Sequence, residues 1–251
     1  MYERLITEND LKTMELDFSG KASIGSLCKF CMDTADLHSI KMNFDVETLM
    51  GQGLSWMLLK FRIQVNEYPA GRQKIIVETW PSGVESRYAF REFKLFREGE
   101  EKPFATATSV WGMIDLEKGR PIRIPDLLAN RPNINTNRVF NDDIKIPKPE
   151  GNPDFQMEFP VRLTDIDILQ HVHNVRYIEW IAETIPDELW ENWCVNDLAI
   201  EFRDQAKYGD TPLSLLYNLE ENPTDRADLH IINKTSEGPV NIRALVKRIK
   251  V

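Results

Sequence analysis

The fold of this chain is decided by the stretch RLTDIDILQHVHNVRYIEWIAETIP, residues 162–186. In its second half, apolar residues recur at helical spacing until Pro186 interrupts them, which predicts a helix over residues 174–185. Residues 159–164 precede it and are predicted to form a short strand that ends in a turn. The stretch therefore predicts a strand that leads directly into a helix.

Ionisable side chains gather at this predicted strand-to-helix turn. Two of the four histidines, His171 and His173, lie there, and Asp165 and Asp167 come directly before them. The first N–H groups of a helix have no partner within the helix and carry a partial positive charge. Such a turn can polarise a carbonyl group and hold a water molecule beside it.

The motif at this turn resembles the signature of a known family. The pattern Asp-Ile-Asp-x-x-x-His-Val-x-Asn-x-x-Tyr-Ile-x-Trp, residues 165–180, is similar to that of the acyl-acyl-carrier-protein thioesterases. These are hotdog-fold enzymes that hydrolyse the thioester of a finished fatty acyl chain. Further similarity extends over nearly the whole chain, at residues 53–58, 77–80, 109–111, 120–121 and 207–210. The resemblance implies hydrolysis of fatty acyl-acyl carrier protein, with release of free fatty acid in fatty acid biosynthesis.

The resemblance also implies roles for single residues. Asp167 would hold or activate the attacking group, and His171 would share the proton or orient the thioester. Gln205 is the third candidate catalytic residue, and Asn174 and Trp56 are the candidate substrate-binding residues. The alternative is structural, because an aspartate also caps turns and a histidine can be a buried, hydrogen-bonded core residue.

Three positions depart from the family pattern. Leu169 stands where the family has asparagine, Gln205 where it has glutamate, and Ala206 where plant members have cysteine. Glutamine can hold a water molecule but cannot take its proton. In a strand, Asp204 is predicted to point to the other face, and Glu201 would lie about 13 Å along the strand from Gln205. The sequence therefore predicts a working but weak thioesterase.

Two other functions stay open at this point. One is an acyl-coenzyme A thioesterase or hydratase on the same fold, because both carriers present the same pantetheine arm. The other is an acyl-binding hotdog protein without catalysis, which Leu169 and Gln205 favour. No metal or cofactor is expected, since the pair His171 and His173 lacks matching ligands elsewhere. Candidate contacts for a carrier's acids or a coenzyme's phosphates are Arg162, Arg176, Arg203, Lys207 and Arg226.

Composition limits the class of protein. The 251 residues carry a net charge of −9, which argues against a nucleic-acid binder. No apolar run is long enough to span a bilayer, and the first ten residues lack the features of a signal peptide. The three cysteines cannot all pair with one another, and Cys28-x-x-Cys31 lacks a second pair of ligands. We therefore expect a cytoplasmic protein with packed thiols.

The order of predicted elements indicates an internal repeat. A strand over residues 11–19, a helix over 23–40 and four strands make up the first copy; the second copy repeats this order. A proline-rich linker, with a short helix at 126–129, separates them. The expected fold is α+β: two tandem hotdog domains, each an antiparallel sheet wrapped around a central helix. The expected boundaries are 1–130 for the first domain, 131–152 for the linker and 153–251 for the second domain. The predicted strands are 54–68, 73–80, 86–96 and 103–115 in the first copy, and 197–205, 212–219, 227–233 and 240–250 in the second.

One asymmetry separates the two copies. Residues 17–23, which match the turn of the second copy, contain one acid and no histidine. A site built from an acid and an imidazole would therefore exist once, in the second copy, and the first would supply apolar walls. Candidates for those walls are Trp56, Met57, Trp80 and Trp111. The sequence predicts neither the preferred acyl chain length nor whether two chains form a homodimer.

Overall fold

The computed structural model describes residues 4–125, 136–143, 145–235 and 238–250. The chain divides into two compact units, Met1–Asp143 and Ile144–Val251. The division falls within the segment that the sequence predicts as a linker. The short helix predicted at residues 126–129 lies outside the described residues.

The first unit is an antiparallel sheet with one long helix. Its strands run in the order β1-β3-β4-β5-β2, and β6 pairs with the end of β5. Helix α1 contacts β1 and β3. The elements are β1 (Leu5–Asp10), a 3-10 turn (Thr13–Glu15), α1 (Ile24–Met42), α2 (Val46–Met50), β2 (Leu54–Val65), β3 (Lys74–Glu85), β4 (Tyr88–Arg97), β5 (Ala105–Asp115) and β6 (Arg120–Ile122).

Helix α1 begins and ends where its sequence provides caps. The Ser23 side chain accepts a hydrogen bond from the Ser26 N–H, and Asn43 ends the helix in the left-handed conformation. Cys28 and Cys31 lie on the buried side of α1 as free thiols. The helix predicted over residues 23–40 is therefore confirmed, with two further residues at its end.

The second unit repeats the arrangement. Its strands run in the order β8-β11-β10-β9-β7, which matches β2-β5-β4-β3-β1 of the first unit. Helix α3 meets the sheet where Tyr177 packs edge-on against Phe202 of β8. The elements are β7 (Phe155–Glu158), a 3-10 turn (Leu163–Asp165), α3 (Asn174–Glu183), α4 (Asp187–Asn192), β8 (Trp193–Phe202), β9 (Leu213–Glu221), β10 (Asp225–Asn233) and β11 (Val240–Lys250).

The predicted α+β class with two tandem hotdog units is confirmed, but several element boundaries are corrected. Residues 11–19 and 159–164 are not strands; the strands lie earlier, at β1 and β7, and 3-10 turns occupy the expected positions. Residues 81–85, between the predicted strands 73–80 and 86–96, belong to β3, and residues 81–83 form a bulge in it. A bulge adds an extra residue to a strand that stays paired. Proline and glycine are common both in bulges and in turns, so the sequence does not distinguish the two here. Helix α4 was not predicted.

Residues 137–139 of the predicted linker contact the sheet of the first unit. In the first unit, the Trp80 indole N–H donates to the Asn137 carbonyl at 2.9 Å, and the Val139 N–H donates to the buried Glu92 at 3.2 Å. Arg138 stacks on Phe90, 3.8 Å from the ring centroid. These contacts hold residues 137–139 against the sheet of the first unit. No helix among the described residues is both long and apolar enough to cross a membrane.

Candidate active site

Asp167 is the centre of a tight turn ahead of α3. Its Oδ1 accepts hydrogen bonds from the N–H groups of Leu169 (2.9 Å) and His171 (3.1 Å). The described residues give no hydrogen bond to Oδ2, so that oxygen can hold a water molecule or attack a carbonyl carbon. Gln170 closes the turn with φ 63°, a conformation that favours glycine. Such unfavourable backbone conformations cluster at functional sites.

The His171 ring shares this turn. Its Nδ1 is buried and has no hydrogen-bond partner among the described residues. Burial lowers the pKa of His171; the carboxylate of Asp167 opposes this shift and the charge of Lys207 adds to it. The ring is therefore neutral near pH 7 and can accept a proton. The unpaired nitrogen does not fit the alternative of a fully hydrogen-bonded core histidine.

Asp165 has a structural role. It is buried and accepts hydrogen bonds from the Arg162 N–H at 2.9 Å and from the Arg162 guanidinium at 3.0 and 3.1 Å. Arg176 approaches the same carboxylate at 3.3 Å. Burial pushes the pKa of Asp165 upward, but the hydrogen bonds and charge of Arg162 hold it below its usual range. Asp165 therefore caps the 3-10 turn and anchors α3.

The start of α3 supplies unpaired donors. His173 is the N-cap residue, and its side chain makes no capping hydrogen bond. The N–H groups of Asn174 and Val175 have no hydrogen bond among the described residues. These groups add the partial positive charge of a helix start to the turn that carries Asp167. The arrangement can stabilise negative charge on an oxygen atom.

Gln205 lies beside this turn but not in a strand. Strand β8 ends at Phe202, so the predicted strand over 197–205 is too long. Asp204 lies beyond the end of β8, so the prediction that it lies in a strand is wrong. The Gln205 N–H donates to Asp204 Oδ1 at 2.8 Å. The next residue, Ala206, accepts a hydrogen bond from the Val172 N–H at 3.0 Å, which brings this segment against the residue after His171. The Gln205 side chain makes no hydrogen bond to Asp167 or His171 among the described residues.

The two candidate substrate-binding residues lie in different units. Asn174 is the first residue of α3 and is half-buried. Trp56 lies in β2 of the first unit, and its indole N–H donates to the Phe44 carbonyl at 2.8 Å. Trp56 packs against a cluster of buried side chains that includes Leu49 and Met113. Trp56 thus packs against the core of the first unit, whereas the Trp80 indole is hydrogen-bonded to the linker.

Tyr177 is a residue whose contribution the sequence analysis missed. It is buried, as predicted for a core residue, and it packs edge-on against Trp180. Its hydroxyl oxygen also accepts a hydrogen bond from the Ala206 N–H at 2.7 Å. This bond ties α3 to the segment that carries Gln205. Helical spacing indicates that Tyr177 faces inward but gives no signal for the bond.

Other polar features do not converge on this turn. The described residues contain a cavity of about 300 Å³ lined by Arg162, Asp165 and Arg176 together with Phe159 and Trp180, but Asp167, His171 and Gln205 do not line it. Among the described residues, no group of three His, Cys, Asp or Glu side chains could hold a metal ion.

Arg226, one of the candidate carrier contacts, is buried in the second unit. Its guanidinium pairs with Asp228 at 2.7 Å and with Glu221 at 2.5 Å. It is therefore not a surface contact.

Comparison with known proteins identifies the family. Residues 5–131 match the model of the acyl-ACP thioesterase N-terminal domain, and residues 150–247 match that of the C-terminal domain. A chloroplastic acyl-[acyl-carrier-protein] hydrolase of Cuphea viscosissima is 26% identical over 78% of this chain and 50% of its own length. The chain spans about half the length of the curated relatives it matches.

Solved structures share the fold over the full chain. A crystal structure of an acyl-ACP thioesterase from Bacteroides thetaiotaomicron superimposes with a TM-score of 0.80 at 22% identity, covering 98% of each chain. The 12:0-ACP thioesterase from Umbellularia californica gives a TM-score of 0.87 at 18% identity, covering 100% of this chain and 96% of that one. Together with the two family matches, the tandem units and their turn motif mean that the chain belongs to the acyl-ACP thioesterase family.

Proposed function

We propose that this chain hydrolyses the thioester of fatty acyl-acyl carrier protein and releases a free fatty acid. The observation that carries the proposal is the turn at residues 167–171. It holds a carboxylate with one unengaged oxygen and a neutral imidazole, and α3 begins three residues after it with unpaired N–H groups. These are the parts that a carbonyl hydrolysis requires.

The proposed reaction assigns each part a step. Asp167 Oδ2 holds the attacking water by accepting a hydrogen bond from it. His171 takes the proton from the water as the carbon–oxygen bond forms, and the N–H groups at the start of α3 stabilise the developing oxyanion. The carbon–sulfur bond then breaks, and the imidazolium returns the proton to the leaving thiolate. The products are the carboxylic acid and the free thiol of the carrier.

Gln205 and Asn174 have supporting roles in this proposal. Gln205 orients the water through its amide without taking the proton. Asn174, at the start of α3, contacts the thioester. Because Leu169 and Gln205 lack the amide and the carboxylate of the family pattern, we expect a slow enzyme. Loss of a general base typically costs about 10² to 10⁴ in rate.

Release of free fatty acid from a panel of acyl carrier thioesters tests the proposal. The same panel carried on coenzyme A separates the two carriers, and free carrier protein and free coenzyme A serve as competitors. Hydrolysis with a preference for the carrier protein is expected. Tight acyl binding without release of thiol would instead assign the chain to the non-catalytic class that Leu169 and Gln205 favour. The same panel reports the chain-length preference.

The proposed compartment is the cytoplasm. Its support is that Cys28, Cys31 and Cys194 are all free thiols, which fits a reducing compartment. Several plant relatives are named as chloroplastic. A tagged chain followed by fractionation tests the compartment, and light scattering of the purified chain tests the homodimer.

A further inference from the structure

The most exposed large apolar side chains of the described residues are concentrated in turns. Five of them have between 61% and 93% of their surface exposed, whereas the next, Ile6, has 51%. Two lie in the strand-to-helix turn of the first unit and three lie at or beside the corresponding turn of the second. The five are Met14, Phe18, Leu163, Ile168 and Tyr208.

The three side chains of the second unit are neighbours. The Val161 N–H donates to the Asp210 carbonyl at 3.1 Å, which brings the residues just before Leu163 against the turn that holds Tyr208. The Val172 N–H donates to Ala206 just before the same turn, and Ile166 pairs with Val172 across the loop that carries Ile168. Ile168 therefore lies within the Asp167–His171 turn, and Leu163 and Tyr208 lie on the segments beside it; we call these three exposed side chains the apolar patch.

Cations border this patch. Arg203 and Lys207 are exposed, and neither forms an ion pair within the described part of the chain. Asp204 is the exposed carboxylate between them. Asp210, in the same turn as Tyr208, is a second carboxylate, and Lys234 lies 3.7 Å from it. These three cations and two carboxylates leave one excess positive charge, although the whole chain has a net charge of −9. An acidic partner would be attracted to this rim and repelled by most of the remaining surface.

We propose that the apolar patch and the cations Arg203 and Lys207 dock the acidic carrier protein that presents the thioester to Asp167 and His171. This inference rests on the proposed function. Clustered exposed apolar side chains mark interaction sites, and here three of them lie in or beside the catalytic turn. Apolar contacts supply the affinity of the docked complex, while the two cations steer the carrier and fix its orientation.

Two substrates that carry the same acyl group separate docking from chemistry. One is the acyl carrier protein thioester, and the other is the acyl thioester of N-acetylcysteamine, which lacks the protein. In the variant Leu163→Ser with Tyr208→Ser, kcat/KM for the carrier substrate falls about tenfold or more through KM. For the small thioester it stays within about twofold of wild type.

A matched control uses an exposed apolar residue away from the turn. Leu219 is 45% exposed and lies near the far end of β9, about 20 Å along the strand from Leu213. Leu219→Ser leaves kcat/KM for both substrates at the wild-type value. The variant Arg203→Gln with Lys207→Gln lowers the carrier rate at low salt and flattens its salt dependence, because steering by exposed charges is screened. Equal melting temperatures confirm that the variants fold.

Several results overturn the docking proposal. One is a wild-type carrier rate in the Leu163→Ser, Tyr208→Ser variant; another is an equal loss on both substrates. A wild-type dimer that this variant disperses would assign the patch to a second copy of the chain instead. If wild type hydrolyses neither substrate, the proposed function fails. Calorimetric titration of the acyl carrier then decides docking: weaker binding by the variant supports it and equal binding overturns it.

Discussion

Asp17 and Asp167 hold the same turn in the two units. Asp17 Oδ1 accepts the N–H groups of Ser19 (2.8 Å) and Lys21 (3.3 Å), just as Asp167 Oδ1 accepts those of Leu169 and His171. In both turns the aspartate N–H also donates to the carbonyl of the residue four positions on. Lys21 therefore occupies the place of His171. The backbone of the turn is duplicated, while the imidazole exists in one copy.

This duplication separates fold from chemistry. A turn that needs an aspartate for its backbone hydrogen bonds keeps it in both units, so the carboxylate alone does not mark a catalytic site. The imidazole is not needed for the turn, because Lys21 stands there in the first unit. A structural role explains Asp167 in this turn but does not explain His171. The presence of both residues in one turn is therefore the feature that indicates chemistry.

Restoring a carboxylate at position 205 should raise the rate. Gln205→Glu places a proton acceptor in the segment that Ala206 ties to the catalytic turn, and we expect at least about a tenfold gain in kcat. The measurement is steady-state hydrolysis of an acyl carrier thioester. Gln73→Glu, in the first unit, is the matched control and leaves the rate unchanged. A Gln205→Glu variant no faster than wild type would remove Gln205 from the site.

Removing the Tyr177 hydroxyl should weaken both stability and turnover. Tyr177→Phe keeps the ring packing but leaves the buried Ala206 N–H without its acceptor, which costs about 1–3 kcal/mol. Because this bond holds the Gln205 segment against α3, kcat falls more than KM changes. Tyr217→Phe is the control, since the Tyr217 hydroxyl makes no hydrogen bond among the described residues. Denaturant unfolding and kinetics measure the two effects; equal behaviour of both variants would contradict the role of Tyr177.

The acid limb of the pH profile should report His171. The ring must be neutral to accept a proton, and burial lowers its pKa, so kcat/KM falls only as the pH drops below the ordinary histidine value of about 6.5. The charge of Lys234 contributes to this lowering. Lys234→Gln therefore raises the pKa of His171 and moves the acid limb to higher pH, whereas Lys247→Gln leaves it in place. If Lys234→Gln leaves the acid limb at the wild-type pH, the assignment of that limb to His171 is contradicted.

A buried ionic cluster should dominate the stability of the second unit. Asp228 is fully buried and pairs with Arg226 at 2.7 Å and with Arg248 at 3.5 Å. Asp228→Asn removes the buried carboxylate that Arg226 and Arg248 share, although Arg226 keeps its ion pair with Glu221, so we expect a loss of about 3–5 kcal/mol. Glu220→Gln, at an exposed position of β9, should change stability by less than about 0.5 kcal/mol. Urea unfolding followed by fluorescence measures both; equal stability of the two variants would show that the cluster contributes little.

The sequence predicts the periodic elements best. The helix from Ile24 and the strands β2, β4, β5, β9, β10 and β11 follow from apolar spacing and turn residues, with shifts of a few residues at their ends. The strands predicted at residues 11–19 and 159–164 are wrong, because apolar residues also alternate loosely in the segments that contain the 3-10 turns. The predicted end of a strand at residue 80 is also wrong, because the proline and glycine at residues 81–83 form a bulge and β3 continues to Glu85.

The candidate site is predictable in part. The motif brings Asp167 and His171 to one turn. The position of Gln205 outside β8 and the Tyr177–Ala206 bond depend on contacts between residues distant in sequence, which periodicity does not encode. The burial of Arg226 is also not predictable from the sequence. An arginine in a strand is expected on the surface unless its ion pair with a buried carboxylate, here Asp228, is known.

The most direct test compares the two matched aspartates. Asn retains an oxygen that can accept the two backbone hydrogen bonds, so Asp17→Asn and Asp167→Asn disturb their turns to a similar extent. The measurement is acyl carrier thioester hydrolysis by wild type and both variants, with melting temperatures as a check. We predict a rate within about twofold of wild type for Asp17→Asn and a loss of about 10² to 10⁴ for Asp167→Asn. Equal rates in the two variants would contradict the claim that the second turn carries the chemistry.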